Sequence, residues 1–130
     1  MLVITSKSPY AVRALSELAR RGGAAPVPIG DLARARDIRA QFLEGLFASL
    51  RRAGILQSQR GVKGGYSFAR PPGEITVLEI VELLDGSLGA GSEGIFADAA
   101  KAARDVLAST TIADVIDREE RERGGVMYHI

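Results

Sequence analysis

Three clusters of side chains in this sequence have the chemistry to meet a nucleic acid. Gln41 and Glu44 lie one helical turn apart. A Gln amide can pair with adenine, and a Glu carboxylate can accept from the cytosine amino group. Arg39 and Arg52 flank them, within reach of phosphate oxygens. Arg60 and Lys63 follow in Arg60-Gly61-Val62-Lys63-Gly64-Gly65. Glycines there let the backbone approach a duplex, while the cations neutralise phosphates or enter the minor groove. Lys7, Tyr10 and Arg13 gather near a helix start, whose positive end also favours phosphate. Each cluster has a plainer alternative. Gln41 and Glu44 can be an ordinary solvated face, and Tyr10 can be a core residue with two solvated cations beside it.

Catalytic chemistry finds little support. The one histidine is His129, and cysteine is absent. Disulfides, thiol nucleophiles and thiolate metal sites are thereby excluded from these residues. No Ser-His-acid set assembles. Residues 61–65 lack the spacing and the following Ser or Thr of a phosphate loop. They also lead into a strand instead of a helix. The acids Asp85, Glu93 and Asp98, with His129 reaching from the tail, form a weak divalent-cation candidate. Solvated acidic residues are the alternative.

The elements that position the candidates can be read from periodicity. Phe42, Leu43, Leu46, Phe47 and Leu50 form a broad apolar stripe, so a helix runs from about residue 40 and ends at Gly54. Gly45 and Ala48 on its outer face are small enough for close approach to a surface. Residues 55–60 and 66–69 read as short strands around a glycine-tipped hairpin loop. A helix with small polar residues outward, then a basic hairpin, is the arrangement of a winged helix. Upstream, Ser8 caps and Pro9 opens a first helix with Ala11, Ala14, Leu15, Leu18 and Ala19 inward. Gly22 and Gly23 stop it. Pro26-Val27-Pro28-Ile29 is a candidate third strand. Residues 29–36 form a short helix with Leu32 and Ala33 inward, then a turn at Asp37 and buried Ile38. The pair of helices is a helix-turn-helix.

Downstream, Thr76 and Glu79 form a capping box for a helix with Val77, Ile80, Val81 and Leu84 inward, closed by Gly86. Residues 86–94 are glycine-rich and read as a flexible linker. The alanine-rich helix from residue 95 to 108 carries one seam of Phe96, Ala99, Ala103, Val106 and Leu107. Beyond such a linker its face has little of its own chain to cover it, and a second copy supplies a partner. Folding back on its own domain is the alternative. Thr111 and Asp114 start a short last helix with Ile112, Val115 and Ile116 buried, and residues 119–123 are charged and exposed. Residues 127–130 have no clear reading.

Charge divides the chain. The whole carries a net charge of +1 across 130 residues, 46% of them hydrophobic. Residues 1–73 hold twelve Lys and Arg against four Asp and Glu, a net +8, and the remainder holds −7. A basic half beside an acidic half fits one part that meets a polyanion and one that does not. Mutual pairing of the halves is the alternative. No apolar run reaches the roughly 18 residues of a membrane span. The first seven residues lack the order of a signal peptide, so the expected location is the cytoplasm.

The sequence resembles the Rrf family of bacterial winged-helix regulators. The resemblance rests on Ser6-Lys7-Ser8-Pro9-Tyr10-Ala11-Val12-Arg13-Ala14-Leu15 and on Pro26-Val27-Pro28-Ile29 with Asp31-Leu32-Ala33. It continues in Phe42-Leu43-Glu44 and Leu50-Arg51-Arg52-Ala53-Gly54. Its most specific stretch is Arg60-Gly61-Val62-Lys63-Gly64-Gly65-Tyr66. Thr76-Val77-Leu78-Glu79-Ile80-Val81-Glu82 and Thr111-Ile112-Ala113-Asp114-Val115 complete it. The resemblance implies a homodimer crossed through the long helix, with one wing and one recognition helix on each half-site. It also implies DNA contacts at Glu44 and Arg60. The chain departs from the family where Ser is common, at Arg39 and Gln41, and where Gln is common, at Gly45. Iron–sulfur members hold their cluster with three cysteines between the helix after the wing and the long helix, and here that region has none. The resemblance then implies a cluster-free member that answers to a small molecule or a partner protein.

The sequence therefore predicts a mainly α fold with a small β-wing: a winged helix-turn-helix over residues 1–86, then linker and dimerisation helices over 87–130. The predicted function is a homodimeric, sequence-specific regulator of transcription, a repressor, that binds double-stranded DNA. It needs no cofactor, touches no membrane and is not an enzyme. The competing reading is a winged-helix protein–protein adaptor without specific DNA binding, which has no need of a +8 half.

Overall fold

The structure, a computed structural model, describes residues 4–22 and 25–128, and side chains up to residue 124. Helix α1 (Lys7–Arg20) is followed by α2 (Ile29–Arg36) and α3 (Ala40–Arg52). Strands β1 (Leu56–Gln59) and β2 (Gly65–Phe68) form the wing. A 3-10 turn (Pro72–Glu74) leads to α4 (Val77–Asp85), α5 (Gly94–Ala108) and α6 (Ile112–Tyr128).

Apolar stripes at helical spacing converge on one core. Leu15 of α1, Leu32 of α2, Leu43, Phe47 and Leu50 of α3, Ile80 of α4 and Ile112 of α6 are all fully buried in it. Truncating a side chain such as Phe47 to Ala costs about 3–5 kcal/mol, a large share of a small domain's stability. The turn between α2 and α3 places Asp37 in the left-handed region at φ 54°, and the Ile38 N–H closes on the Ala33 carbonyl at 2.9 Å. Asp is one of the few side chains that tolerates that conformation. Gly54, at φ 80°, does the same for α3: the Ile55 N–H reaches the Leu50 carbonyl at 3.0 Å.

The first helix starts differently from the sequence expectation. Ser8 is not its cap; it lies one residue inside α1, buried, and its hydroxyl donates to Asp85 Oδ2 at 2.5 Å. Thr5 Oγ1 donates to Asp85 Oδ1 at 2.5 Å. A carboxylate from the far end of α4 thus ties down two hydroxyls at the start of α1. The predicted stop at Gly23 and the His129 candidate fall outside the described residues.

In the wing, β1 and β2 pair antiparallel with Leu56 opposite Phe68 and Gln59 opposite Gly65. The third strand narrows to one bridge, Val27 to Tyr66, with N–H to O distances of 2.9 and 2.8 Å. Pro26 and Pro28 flank Val27, and neither has an N–H to extend the ladder. Gly65 sits so close to this bridge that a Cβ would run into the Val27 carbonyl.

The capping box at α4 is complete: Glu79 N–H donates to Thr76 Oγ1 at 3.2 Å and Thr76 N–H to Glu79 Oε2 at 2.9 Å. Burial pushes the Glu79 carboxyl up, but bonds from Arg70 and Thr76 outweigh it and hold it below its ordinary value. Thr111 and Asp114 form the equivalent start of α6. The two starts are tied together by Val77 N–H to the Thr110 carbonyl at 2.8 Å and Ile112 N–H to the Ile75 carbonyl at 2.9 Å.

Two C-terminal expectations are corrected. Residues 86–94 are a packed turn, not a flexible linker. Leu88 is buried, Arg104 Nη1 donates to its carbonyl at 2.8 Å, and Gly89 lies against Ala100 with no room for a Cβ. Gly86, Gly89, Gly91 and Gly94 all have positive φ, so they serve turns and lay α5 beside α4. The last helix is 17 residues long and packs against α1. Glu119 is half-buried instead of exposed, and Val115 and Ile116 are half-buried instead of buried. In packing, α6 belongs with the N-terminal helices.

Candidate nucleic-acid interface

The outer face of α3 presents Gln41, Glu44 and Gly45 to solvent, with Arg39 extended just before the helix and Arg52 in its last turn. The side chains of Arg39, Gln41 and Glu44 carry no hydrogen bond or ion pair among the described residues. Arg52 is partly engaged, its Nη2 3.3 Å from Ser49 Oγ. Ala48 is half-buried, while Gly45 is open, with no atom within 4 Å of where a Cβ would stand.

The α1 cluster and the recognition helix share one assembly. Arg13 stacks over the Tyr10 ring, its Cζ 4.6 Å from the centroid. Tyr10 in turn stands edge-on to Phe42 of α3. Lys7 and Arg13 are exposed and Tyr10 is half-buried between Arg13 and Phe42 of α3. At this end of α1 the Asp85 carboxylate accepts from the Ser8 and Thr5 hydroxyls. Burial pushes that carboxyl up, but hydrogen bonds from Ser8 and Thr5, with Lys7 nearby, hold it below its ordinary value.

The wing joins the same surface from the other side. Phe47 and Tyr66 meet edge to face at 5.2 Å and 77°, which fixes β2 to α3. At the tip, Arg60, Val62 and Lys63 are exposed, and Arg60 and Lys63 carry no partner among the described residues. The Gly64 N–H bonds the Gly61 carbonyl at 3.0 Å, and a Cβ on Gly64 would collide with the Gln59 carbonyl. The tip is thus a tight turn carrying two cations without a partner among the described residues. The cations on α1, the polar side chains on α3 and the cations at the wing tip are all exposed, and the Tyr10–Phe42 and Phe47–Tyr66 contacts tie α1 and β2 to α3.

The α5 seam is open. Phe96 is 66% exposed and Val106 63%, Ala99 is exposed, and Ala103 and Leu107 are half-buried. Exposed Ile95 extends the stripe. Only Ala100 on this helix is fully covered by its own chain. An apolar stripe of this length left in water marks an interaction face.

Sequence reasoning missed the polar junctions. Arg36, Glu119 and Ser16 carry no role in it and Asp85 only that of a weak cation ligand, although each joins segments far apart in the chain. The available signal was Ser8 and Ser16 on the apolar face of α1, since a buried hydroxyl needs a partner.

A family model described as Rrf2, iron-dependent transcriptional regulator, matches residues 4–118. The HTH-type transcriptional regulator IscR of Xenorhabdus nematophila is 39% identical over 95 residues, which is 70% of this chain and 58% of that protein. The chain spans little more than half the length of the curated relatives it matches. Among solved structures, CymR, the global cysteine regulator of B. subtilis, aligns with a TM-score of 0.82 at 30% identity, covering 91% of this chain and 98% of that one. IscR of T. potens aligns at 0.80 with 34% identity, covering 93% and 90%.

The chemistry of this chain does not fit an iron–sulfur cluster. Such clusters are held by thiolates, and the 130 residues include no cysteine. Among the described residues no group of three or more His, Cys, Asp or Glu is placed to hold a metal ion. Residues 86–100 are instead closed by Leu88 and by Gly89 packed on Ala100.

Proposed function

The chain belongs to the Rrf2 family of transcriptional regulators, and from that premise we propose that it is a cluster-free homodimeric repressor that binds double-stranded DNA sequence-specifically. The observation that carries the reading is the face just described, with Gln41 and Glu44 unsatisfied at its centre and two aromatic contacts fixing its flanks. Gln41 and Glu44 read base edges in the major groove. Lys7, Arg13, Arg39 and Arg52 set register on phosphates. Arg60 and Lys63 dock the wing. The open stripe on α5 takes the same stripe of a second copy, so each dimer presents two such faces to a pseudo-palindromic operator. Residues 1–86 supply the DNA face and 87–130 the dimer contacts. The protein works in the cytoplasm, and a small molecule or a partner protein sets its occupancy of DNA. Bound across a promoter, it blocks transcription.

Selection from a random duplex library, followed by a salt titration on the selected operator, tests this. Log affinity should fall linearly with log salt, by about 0.9 for each phosphate neutralised. Failure to enrich any sequence, together with a flat salt response, would rule out the DNA reading and favour a protein–protein adaptor.

A further inference from the structure

The C-terminal helix grips the end of the helix that positions the recognition helix. Arg36 is the last residue of α2, one residue before the left-handed turn at Asp37. Its guanidinium forms a fork on Glu119 of α6, Nη1 to Oε2 at 2.9 Å and Nη2 to Oε1 at 3.0 Å. Its Nε donates to Glu17 Oε1 of α1 at 2.9 Å. Ser16, fully buried on α1, donates to Glu119 Oε1 at 2.5 Å. Three helices therefore meet at one side chain.

We infer that Arg36 and Glu119 are positioning residues for operator recognition, coupling α6 to the angle at which α3 meets DNA. This inference rests on the DNA-binding reading above. The two-atom fork fixes distance and the plane of the guanidinium, which a single contact cannot do. Arg36 and Glu119 are half-buried, their side chains 14% and 23% exposed, and an ion pair of this kind contributes little net stability against an apolar replacement; what it supplies is geometry. The charges balance locally. Arg20 lies 2.8 Å from Glu120 and Arg21 3.2 Å from Glu17, so the junction is three cations against three anions. The Arg36 hydrogen bonds keep the Glu119 carboxyl below its ordinary value against the opposing effect of burial.

The route to function is short. Moving the end of α2 moves the turn at Asp37, and with it Arg39 and Gln41 at the start of α3. The chain enters α6 from α5, whose exposed apolar stripe is the proposed dimer face. A change in the dimer can therefore reach the DNA face through Arg36.

The test uses the full chain, the selected operator, a random duplex of equal length and thermal melting. Glu119→Gln keeps the shape and removes the charge; Arg36→Lys keeps the charge and removes the fork. Both should lower the operator-to-random affinity ratio roughly tenfold. Glu119→Gln should leave random-duplex affinity unchanged or higher, since it deletes a negative charge. A wild-type ratio in both variants overturns the inference. So does an equal loss on both duplexes in step with a lower melting temperature, which marks a purely structural role. A wild-type chain that itself prefers no sequence sinks the DNA reading, and this inference with it.

Discussion

The Tyr10 ring stands edge-on to Phe42, centroids 5.7 Å apart and planes at 87°. One contact between residues 32 positions apart in sequence joins the cationic stripe of α1 to the start of the recognition helix. Arg13 also lies over the Tyr10 ring, its Cζ 4.6 Å from the centroid, so three side chains of α1 and α3 meet in series. Edge-to-face pairs contribute about 0.5–1.5 kcal/mol beyond their burial, enough to hold α1 in register with α3.

The wing should divide its labour with the recognition helix. Arg60→Ala is expected to weaken binding to all duplexes and reduce the salt slope by about one. Glu44→Ala should instead relax base preference, costing about 1–3 kcal/mol of discrimination at one base pair. Fluorescence anisotropy on operator and random DNA checks this, and matching effects of the two substitutions on both duplexes would contradict it.

Gly45→Ala should separate stability from recognition. A methyl there meets nothing, and Gly within a helix costs about 0.5–1 kcal/mol relative to Ala. The variant should melt several degrees higher yet bind the operator more weakly, because the added methyl stands between α3 and the groove. Unchanged operator affinity would show that Gly45 is not at the interface.

Gly65→Ala should destabilise the protein by more than about 1 kcal/mol, since φ is 146° and the new Cβ would meet the Val27 carbonyl. Chemical denaturation measures this. Wild-type stability would mean that the Val27–Tyr66 bridge can shift without cost.

Phe96→Glu and Val106→Glu change side chains already exposed in the single chain, so folding should survive while a dimer seam would have to bury charge. Sedimentation should show a monomer that melts normally. A persisting dimer would place the interface elsewhere.

Acid should unfold the protein early. Glu17, Glu79, Asp85 and Glu119 are all held below their ordinary values, 4.5 for the glutamates and 3.8 for Asp85. For Glu17, burial pushes up and the Arg36 and Arg21 bonds outweigh it. Below those ordinary values the unfolded chain takes protons that the folded chain refuses, so stability is fully present above them and is lost as pH falls through the lower folded values. Melting temperature should be level from about pH 6 to 8 and drop below about 4.5, less steeply in Glu119→Gln. An identical acid limb in that variant would contradict the assignment.

The sequence by itself determined the helices and the wing, because the apolar stripe from Phe42 to Leu50, the glycines at 54, 61, 64 and 65, and the Thr76–Glu79 box are local signals with local causes. It also determined the absence of thiolate chemistry, which is a matter of composition. Only the tertiary structure decided which polar groups meet. Ser8 finds Asp85 across 77 positions and Arg36 finds Glu119 across 83, and no periodicity encodes such distances. The turn at residues 86–94 differs from its sequence expectation for the same reason: glycine composition is common to flexible coil and tight turn, and only the burial of Leu88 and the contact of Gly89 with Ala100 distinguish them. Burial of a charged side chain depends on the partner that satisfies it, and that partner arrives only when the chain has folded.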